Sequence, residues 1–115
     1  MPRDEATLAD LHRAARLALQ FRGDMDGPAF LADLKTQAAV LHELLVIGEG
    51  VKRLSSEFRQ SHPQMPWRAM AGMRDKLVHA YDQVDLEEVW KTLRDDLPRL
   101  LGFLAPLLTE EDRRY

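Results

Sequence analysis

The chain has 115 residues, 45% apolar and 30% charged, with a net charge of −3 and no cysteine. That length fits one domain, 1–115, with a real core, and the apolar share excludes a disordered chain. The missing cysteines exclude a disulfide framework, a thiolate nucleophile and a thiolate metal site. An acidic balance argues against a broad nucleic-acid-coating surface, because phosphate binding leaves a basic excess. It leaves room for a local basic cleft, or one shared with a partner.

The N-terminus, Met1-Pro2-Arg3-Asp4-Glu5, is charged and has no apolar signal core behind it. The longest charge-free apolar run, Leu100 to Leu108, falls short of the roughly 20 residues a membrane helix needs. A cytoplasmic protein with no membrane contact is expected.

Helical spacing opens the chain. Leu8, Leu11, Ala15 and Ala18 recur at three to four residues between Asp4 and Arg22, with Asp10, Arg13, Arg16 and Gln20 opposite. Gly23-Asp24-Met25-Asp26-Gly27-Pro28 breaks the pattern. Asp26 can cap a short helix ending near Asp33, with Pro28 in its first turn and Phe30 and Leu31 docking it.

From Asp33 to Ser61 the pattern predicts one long helix, about 43 Å at 1.5 Å per residue. Val40, Leu44, Ile47, Val51, Leu54 and Phe58 form a 4-3-4-3-4 seam. Gly48 and Gly50 each cost about 1 kcal/mol in a helix interior. They read as close-approach points for neighbouring helices.

His62-Pro63-Gln64-Met65-Pro66 turns the chain, and Pro66 starts a helix from Trp67 to about Ala80. Asp85-Leu86-Glu87-Glu88 has the form of a capping box. Leu86, Val89, Trp90, Leu93 and Leu97 continue an amphipathic helix, which Pro98 kinks or restarts. Residues 109–115 read as a frayed, charged end. No strand alternation and no repeat appear, so the expectation is an all-α bundle of four main helices and a short one.

Arg74, His79 and Tyr81 form an R-x4-H-x-Y pattern. A histidine can be general acid or base near neutral pH, and an arginine can hold a phosphate and stabilise a phosphorane. The pair suits cleavage of RNA through its own 2′-hydroxyl. On an ideal helix Arg74 and Tyr81 lie about 20° apart and Arg74 and His79 about 140° apart. Spacing alone therefore also fits a purely structural pair in surface ion pairs. No metal site is expected: His12, His42, His62 and His79 are scattered, without H-E-x-x-H or E-x-x-H spacing. No phosphate-cradling loop or G-x-S-x-G elbow occurs. Asp95-Asp96 and Glu110-Glu111-Asp112 read as solvated faces, and Trp67 and Trp90 as core anchors.

Lys35-Thr36-Gln37-Ala38-Ala39-Val40-Leu41, Val46-Ile47-Gly48-Glu49, Pro66-Trp67-Arg68, Gly72-Met73-Arg74-Asp75, His79-Ala80-Tyr81 and Val84-Asp85-Leu86-Glu87-Glu88-Val89-Trp90 follow in order. Together they resemble the HepT family, the HEPN-domain toxins of HepT/MntA toxin–antitoxin systems. The resemblance implies a four-to-five-helix HEPN-type bundle that forms a homodimer, with both R-x4-H motifs facing one cleft. It implies a metal-independent endoribonuclease toxin of a type VII-like system, needing no cofactor. Arg74 and His79 match the catalytic positions, and Asp75 matches the polar residue after the arginine. Tyr81 matches the tyrosine that an MntA-like nucleotidyltransferase antitoxin modifies with AMP units. Ala80 stands where the family commonly has glycine, which puts the turn carrying Tyr81 in question. The alternative is a non-catalytic HEPN dimer that binds RNA or a partner without cutting.

Overall fold

The computed structural model describes residues 2–114; Met1, and Tyr115 at the end of the charged tail, lie outside the described residues. Among the described residues the chain is all-α, without a strand. Its helices are α1 (Pro2–Arg22), α2 (Gly27–Leu31), α3 (Leu34–Arg53), α4 (Ser56–Ser61), α5 (Trp67–His79), α6 (Leu86–Lys91) and α7 (Leu97–Leu104). A π-helical turn, Thr92–Asp96, joins α6 to α7, so these form one interrupted rod. Helices α1, α3, α5 and this rod are the four main elements, as the periodicity predicts.

Helix α3 is the centre. It packs on α1 along one side and on α5 along another, while α2 bridges it to α6 and α7 lies against α1. Its two glycines lie about 200° apart round the axis, and each admits a different neighbour. A Cβ at Gly50 would lie 2.6 Å from Leu11 Cδ2 of α1. A Cβ at Gly48 would fall on the Cβ of Arg74 and 3.0 Å from the carbonyl oxygen of Met70, both on α5. Both positions are the close-approach points expected from the sequence.

The core is the predicted apolar face of each helix: Leu11, Ala15, Ala18, Phe30, Val40, Val51, Val89, Leu93 and Leu104 are wholly buried. Phe30 carries α2 into it and meets Trp90 at 5.7 Å between ring centroids. Burying such a ring contributes about 2–3 kcal/mol. Asp26 and Asp33 cap α2 and α3, accepting from Ala29 N and Thr36 N at 2.9 and 3.0 Å.

The single helix expected over Asp33–Ser61 does not form. Helix α3 ends at Arg53, Leu54 and Ser55 are extended, and α4 is a separate six-residue helix. The cause is Asp4, 51 residues away. Its buried carboxylate accepts the backbone N–H of Ser55 at 2.9 Å and the Ser55 hydroxyl at 2.7 Å. That N–H would otherwise continue the α3 ladder. Ser55 Oγ in turn accepts from Phe58 N at 3.1 Å and caps α4. These bonds hold the Asp4 carboxyl below the usual carboxylate range.

The break aims α4 at the start of α5. Phe58, His62, Trp67 and Phe103 form one aromatic cluster, with Phe58 and His62 rings 4.3 Å apart and Trp67 and Phe103 5.8 Å apart. The Trp67 indole N–H donates to His62 O at 2.9 Å. Pro66 has no side-chain cap to offer, so this bond and the stacked rings fix where α5 begins.

The far end differs in detail from the sequence expectation. Asp85 accepts from Glu87 N at 2.9 Å, one residue earlier than a capping box requires. Pro98 cannot donate to the carbonyl four residues back. The chain widens ahead of it, with Leu97 N–H reaching Thr92 O, and α7 restarts with Pro98 in its first turn. The charged tail forms a short turn, Asp112–Arg114, and Arg16 Nη1 donates to Arg113 O at 2.7 Å.

His12 lies buried on α1, and its Nδ1 has no hydrogen-bond partner. Burial first, then Arg16 and Arg113, push the ring below the ordinary histidine value. The unfolded chain therefore takes up this proton at a higher pH than the folded one. Stability is complete above about pH 6.5 and falls as the pH drops below it. Urea unfolding at pH 5 and pH 7.5 should show that loss, and His12→Gln should flatten it.

Candidate active site on helix α5

The site is built where α5 crosses Gly48. With no side chain on α3 at that point, the backbone of Arg74 comes down onto α3, and its guanidinium reaches the next residue along. Arg74 Nε donates to Glu49 Oε1 at 2.7 Å, and Arg74 Nη1 donates to Asp75 Oδ1 at 3.1 Å. Lys52, one turn further on α3, donates to the same Asp75 oxygen at 2.5 Å. Two cations and two carboxylates thus form a chain across the α3–α5 contact. Glu49 first, then Asp75, raise the Arg74 pKa above the ordinary guanidinium value. Lys52 first, then Arg74, hold the Asp75 carboxyl below its ordinary value. Arg74 is a permanent, oriented cation, and its Nη2 makes none of the described hydrogen bonds.

His79 is the last residue of α5 and is exposed, and its side chain makes no hydrogen bond or ion pair among the described residues. It lies five helical steps from Arg74, about 9 Å between Cα atoms and about 140° round the axis. A single chain therefore does not bring the two side chains onto one face. Arg74 and Asp75 come together; His79 stands apart.

Tyr81 does not continue the helix. Ala80 ends α5 at φ −145° and ψ 47°, and Tyr81 opens a single 3-10 turn, Tyr81–Gln83. The roughly 20° offset from Arg74 expected for an unbroken helix therefore does not apply. The negative φ at Ala80 also means that this turn has no need of glycine's left-handed freedom. The Tyr81 ring lines a shallow pocket with Ala38, Leu41, His42 and Leu45 of α3 and with Leu77. Tyr81 remains 59% exposed, Val78, three residues before it, 47%, and Leu34, on the α3 face of Ala38 and Leu45, 79%. This is an apolar shelf next to the exposed histidine.

A separate groove lies elsewhere. It has a volume of about 530 Å³ and runs between α5 and the α6–α7 rod, floored by Leu44, Ile47, Leu97 and Leu100. Arg74, His79 and Tyr81 do not line it. Among the described residues no three histidine, aspartate or glutamate side chains converge as a metal set. No described helix is long and apolar enough to cross a membrane.

The family described as "Ribonuclease HepT-like" matches residues 11–107. The chain belongs to the HepT-like ribonuclease family. A protein named "Probable ribonuclease HepT" from Thermococcus cleftensis is 45% identical over 95 residues, 83% of this chain and 86% of that protein. An RNase candidate of Methanocaldococcus jannaschii is 40% identical over 100 residues, 85% of this chain and 83% of that one. Another, from Caldanaerobacter subterraneus, is 39% identical over 82 residues, 71% and 73% of the two chains. No solved structure matches the chain.

The HepT-like match takes in Glu49, Lys52, Arg74, Asp75, His79 and Tyr81, and leaves out Asp4 and the charged tail. The R-x4-H-x-Y pattern and its flanks single out Arg74, Asp75, His79 and Tyr81 and assign no role to Glu49 and Lys52. Their signal is faint: two opposite charges three residues apart, on one face of a glycine-bearing helix.

Gly48→Ala tests the foundation of this HepT-like site. The added methyl meets backbone atoms, Arg74 Cα at 3.2 Å and Met70 O at 3.0 Å, which cannot rotate away. Overpacking should outweigh the helix-propensity gain and cost about 1–2 kcal/mol. Gly102→Ala on α7, with nothing within 4 Å, should instead raise stability by up to about 1 kcal/mol. Urea midpoints of the two variants should move in opposite directions.

Proposed function

We propose that this protein is the toxin of a type VII-like toxin–antitoxin pair. In this reading it is a cytoplasmic, metal-independent endoribonuclease that works as a homodimer. The observation that carries it is a guanidinium held rigidly on α5 with Nη2 left over, five residues before an exposed imidazole. The substrate supplies the nucleophile. Its 2′-oxygen bonds to phosphorus, and the bond from phosphorus to the 5′ oxygen breaks. His79 takes the 2′-hydroxyl proton, and the departing 5′ oxygen receives one from the partner's His79. Arg74 stabilises the charge that gathers on the phosphorane oxygens, and Asp75 helps to hold Arg74. The products are a 2′,3′-cyclic phosphate and a 5′-hydroxyl.

Two features support the dimer. The arginine and histidine of one chain point apart, and the shelf of Leu34, Ala38, Val78 and Tyr81 leaves apolar surface beside them. A second copy covering the shelf would set two His79 side chains and two Arg74 side chains round one RNA strand. Tyr81 would be the off-switch. An MntA-like nucleotidyltransferase would add AMP to its exposed hydroxyl. The new phosphates, two residues from His79, would repel RNA and fill the cleft.

A second reading has its own support. The network of Arg74, Lys52, Glu49 and Asp75 sums to zero charge, and the whole chain is acidic. That favours a non-catalytic HEPN dimer that binds RNA or a protein partner.

Cleavage of a mixed RNA pool in excess EDTA separates the two. The proposed enzyme cuts, and Arg74→Ala or His79→Ala each lower the rate at least a hundredfold with unchanged melting temperature. RNA retained but uncut by the wild-type chain selects the binding module. Coexpression with an MntA-like nucleotidyltransferase should raise the intact mass by whole AMP units. Tyr81→Phe should abolish the increase; an increase that survives it removes Tyr81 from the scheme.

A further inference from the structure

We infer that Glu49 is the positioning residue for Arg74, the group on the facing helix that aims the guanidinium at the scissile phosphate. The inference rests on the ribonuclease reading and adds to it a residue from a different helix.

The geometry is specific. A guanidinium at the end of a long side chain has several rotatable bonds, and loose placement would cost much of its value to a transition state. Glu49 takes Nε–H at 2.7 Å, and Asp75 takes an Nη1 proton at 3.1 Å. Two acceptors from different helices fix both the position and the plane of the group. Asp75 lies next in sequence to Arg74 and moves with it. Glu49 lies on α3 and refers Arg74 to the core of the bundle. Lys52 holds Asp75 from the same helix, so both carboxylates are tied to one turn of α3. Nη2 is then the donor left to meet a phosphate oxygen.

Glu49 is itself suited to this and little else. Its side chain is 42% exposed, so it contributes little to the core. Its neighbour Gly48 is the point where the backbone of Arg74 rests on α3. The two consecutive residues do complementary things: Gly48 sets the height of Arg74 above α3, and Glu49 sets the direction of its charge.

The test compares Glu49→Ala with Glu49→Gln. Glutamine keeps an oxygen to accept from Nε; alanine keeps nothing. In RNA cleavage, E49A should lower kcat at least tenfold with KM within about twofold, and E49Q should recover most of the loss. Melting temperatures of both should stay near that of the wild-type chain. A second readout needs no activity. The Arg74 Nε–H signal in nitrogen-15 NMR, assigned by its loss in Arg74→Lys, should exchange slowly in the wild-type chain and in E49Q and fast in E49A.

Wild-type cleavage that Arg74→Ala abolishes and E49A leaves intact overturns the positioning role and spares the ribonuclease reading. Rate losses in E49A and E49Q that simply track their melting temperatures overturn it too. A wild-type chain that cuts no RNA overturns the ribonuclease reading. The NMR comparison then decides alone whether Glu49 holds Arg74, and fast exchange in the wild-type chain would refute that.

Discussion

The contact between α3 and α5 at Gly48 is the constraint on which the rest of the molecule depends. Helix α5 packs chiefly on α3, and the two backbones meet where a methyl group would fall on Arg74. A larger residue would lift α5 away and draw Arg74 out of reach of Glu49. The glycine costs helix stability locally, about 1 kcal/mol against alanine. What it secures is a guanidinium attached to the most buried helix of the fold. Gly50 does the same on the opposite side of α3 for Leu11 of α1. Helix α3 is thus a spine with a notch on each side, one for the core and one for the site.

A notch sets separation but not axial position. That comes from the ends of α5. At its start, Trp67 is bonded to His62 O and packed among Phe58, His62 and Phe103. This cluster exists only because α3 stops at Arg53 and α4 leaves in a new direction. The stop is enforced by Asp4, which takes the N–H that Ser55 would have given to the α3 ladder. A carboxylate in the first turn of the chain is therefore connected, through Ser55, Phe58 and Trp67, to the register of the helix that carries Arg74.

Much of this can be read from the sequence, and the reasons for the rest are physical. The four main helices are legible because each buries one face, and the apolar spacing records that face directly. The glycines are legible as close approaches because an interior glycine in a strong helix pattern needs a reason. The break at Leu54 is not legible. The seam of Val40, Leu44, Ile47, Val51, Leu54 and Phe58 runs straight across it, since Leu54 and Phe58 are buried or half-buried on either side of the turn. The bond that takes the Ser55 N–H comes from a residue 51 positions away, and the local pattern offers only Ser55 as a cap for α4. The widened turn at Thr92–Asp96 is half legible: Pro98 demands relief, and the sequence does not say that the helix would give it by expanding one turn ahead. Arg74, Asp75, His79 and Tyr81 stand out through the resemblance of their flanks to the HepT family. Glu49 and Lys52 do not, because their significance lies in which residue of another helix they face.

The charge arrangement explains how an acidic chain could still handle RNA. Arg74 is not part of a basic patch, because its neighbours cancel it. Long-range attraction for a polyanion is therefore weak, and a few exposed charges more than a Debye length away, about 8 Å at physiological salt, add little. Close in, the balance changes. The two carboxylates take Nε–H and a proton of Nη1, and a phosphate would meet Nη2, which makes none of the described hydrogen bonds. Such a site favours a phosphate already delivered to it over one at a distance. In the proposed dimer, delivery would fall to the surface formed where a second copy covers Leu34, Val78 and Tyr81. In the proposed scheme, modification of Tyr81 would act on the same balance. Where attraction for RNA is already slight, negative charge added beside His79 has little to overcome.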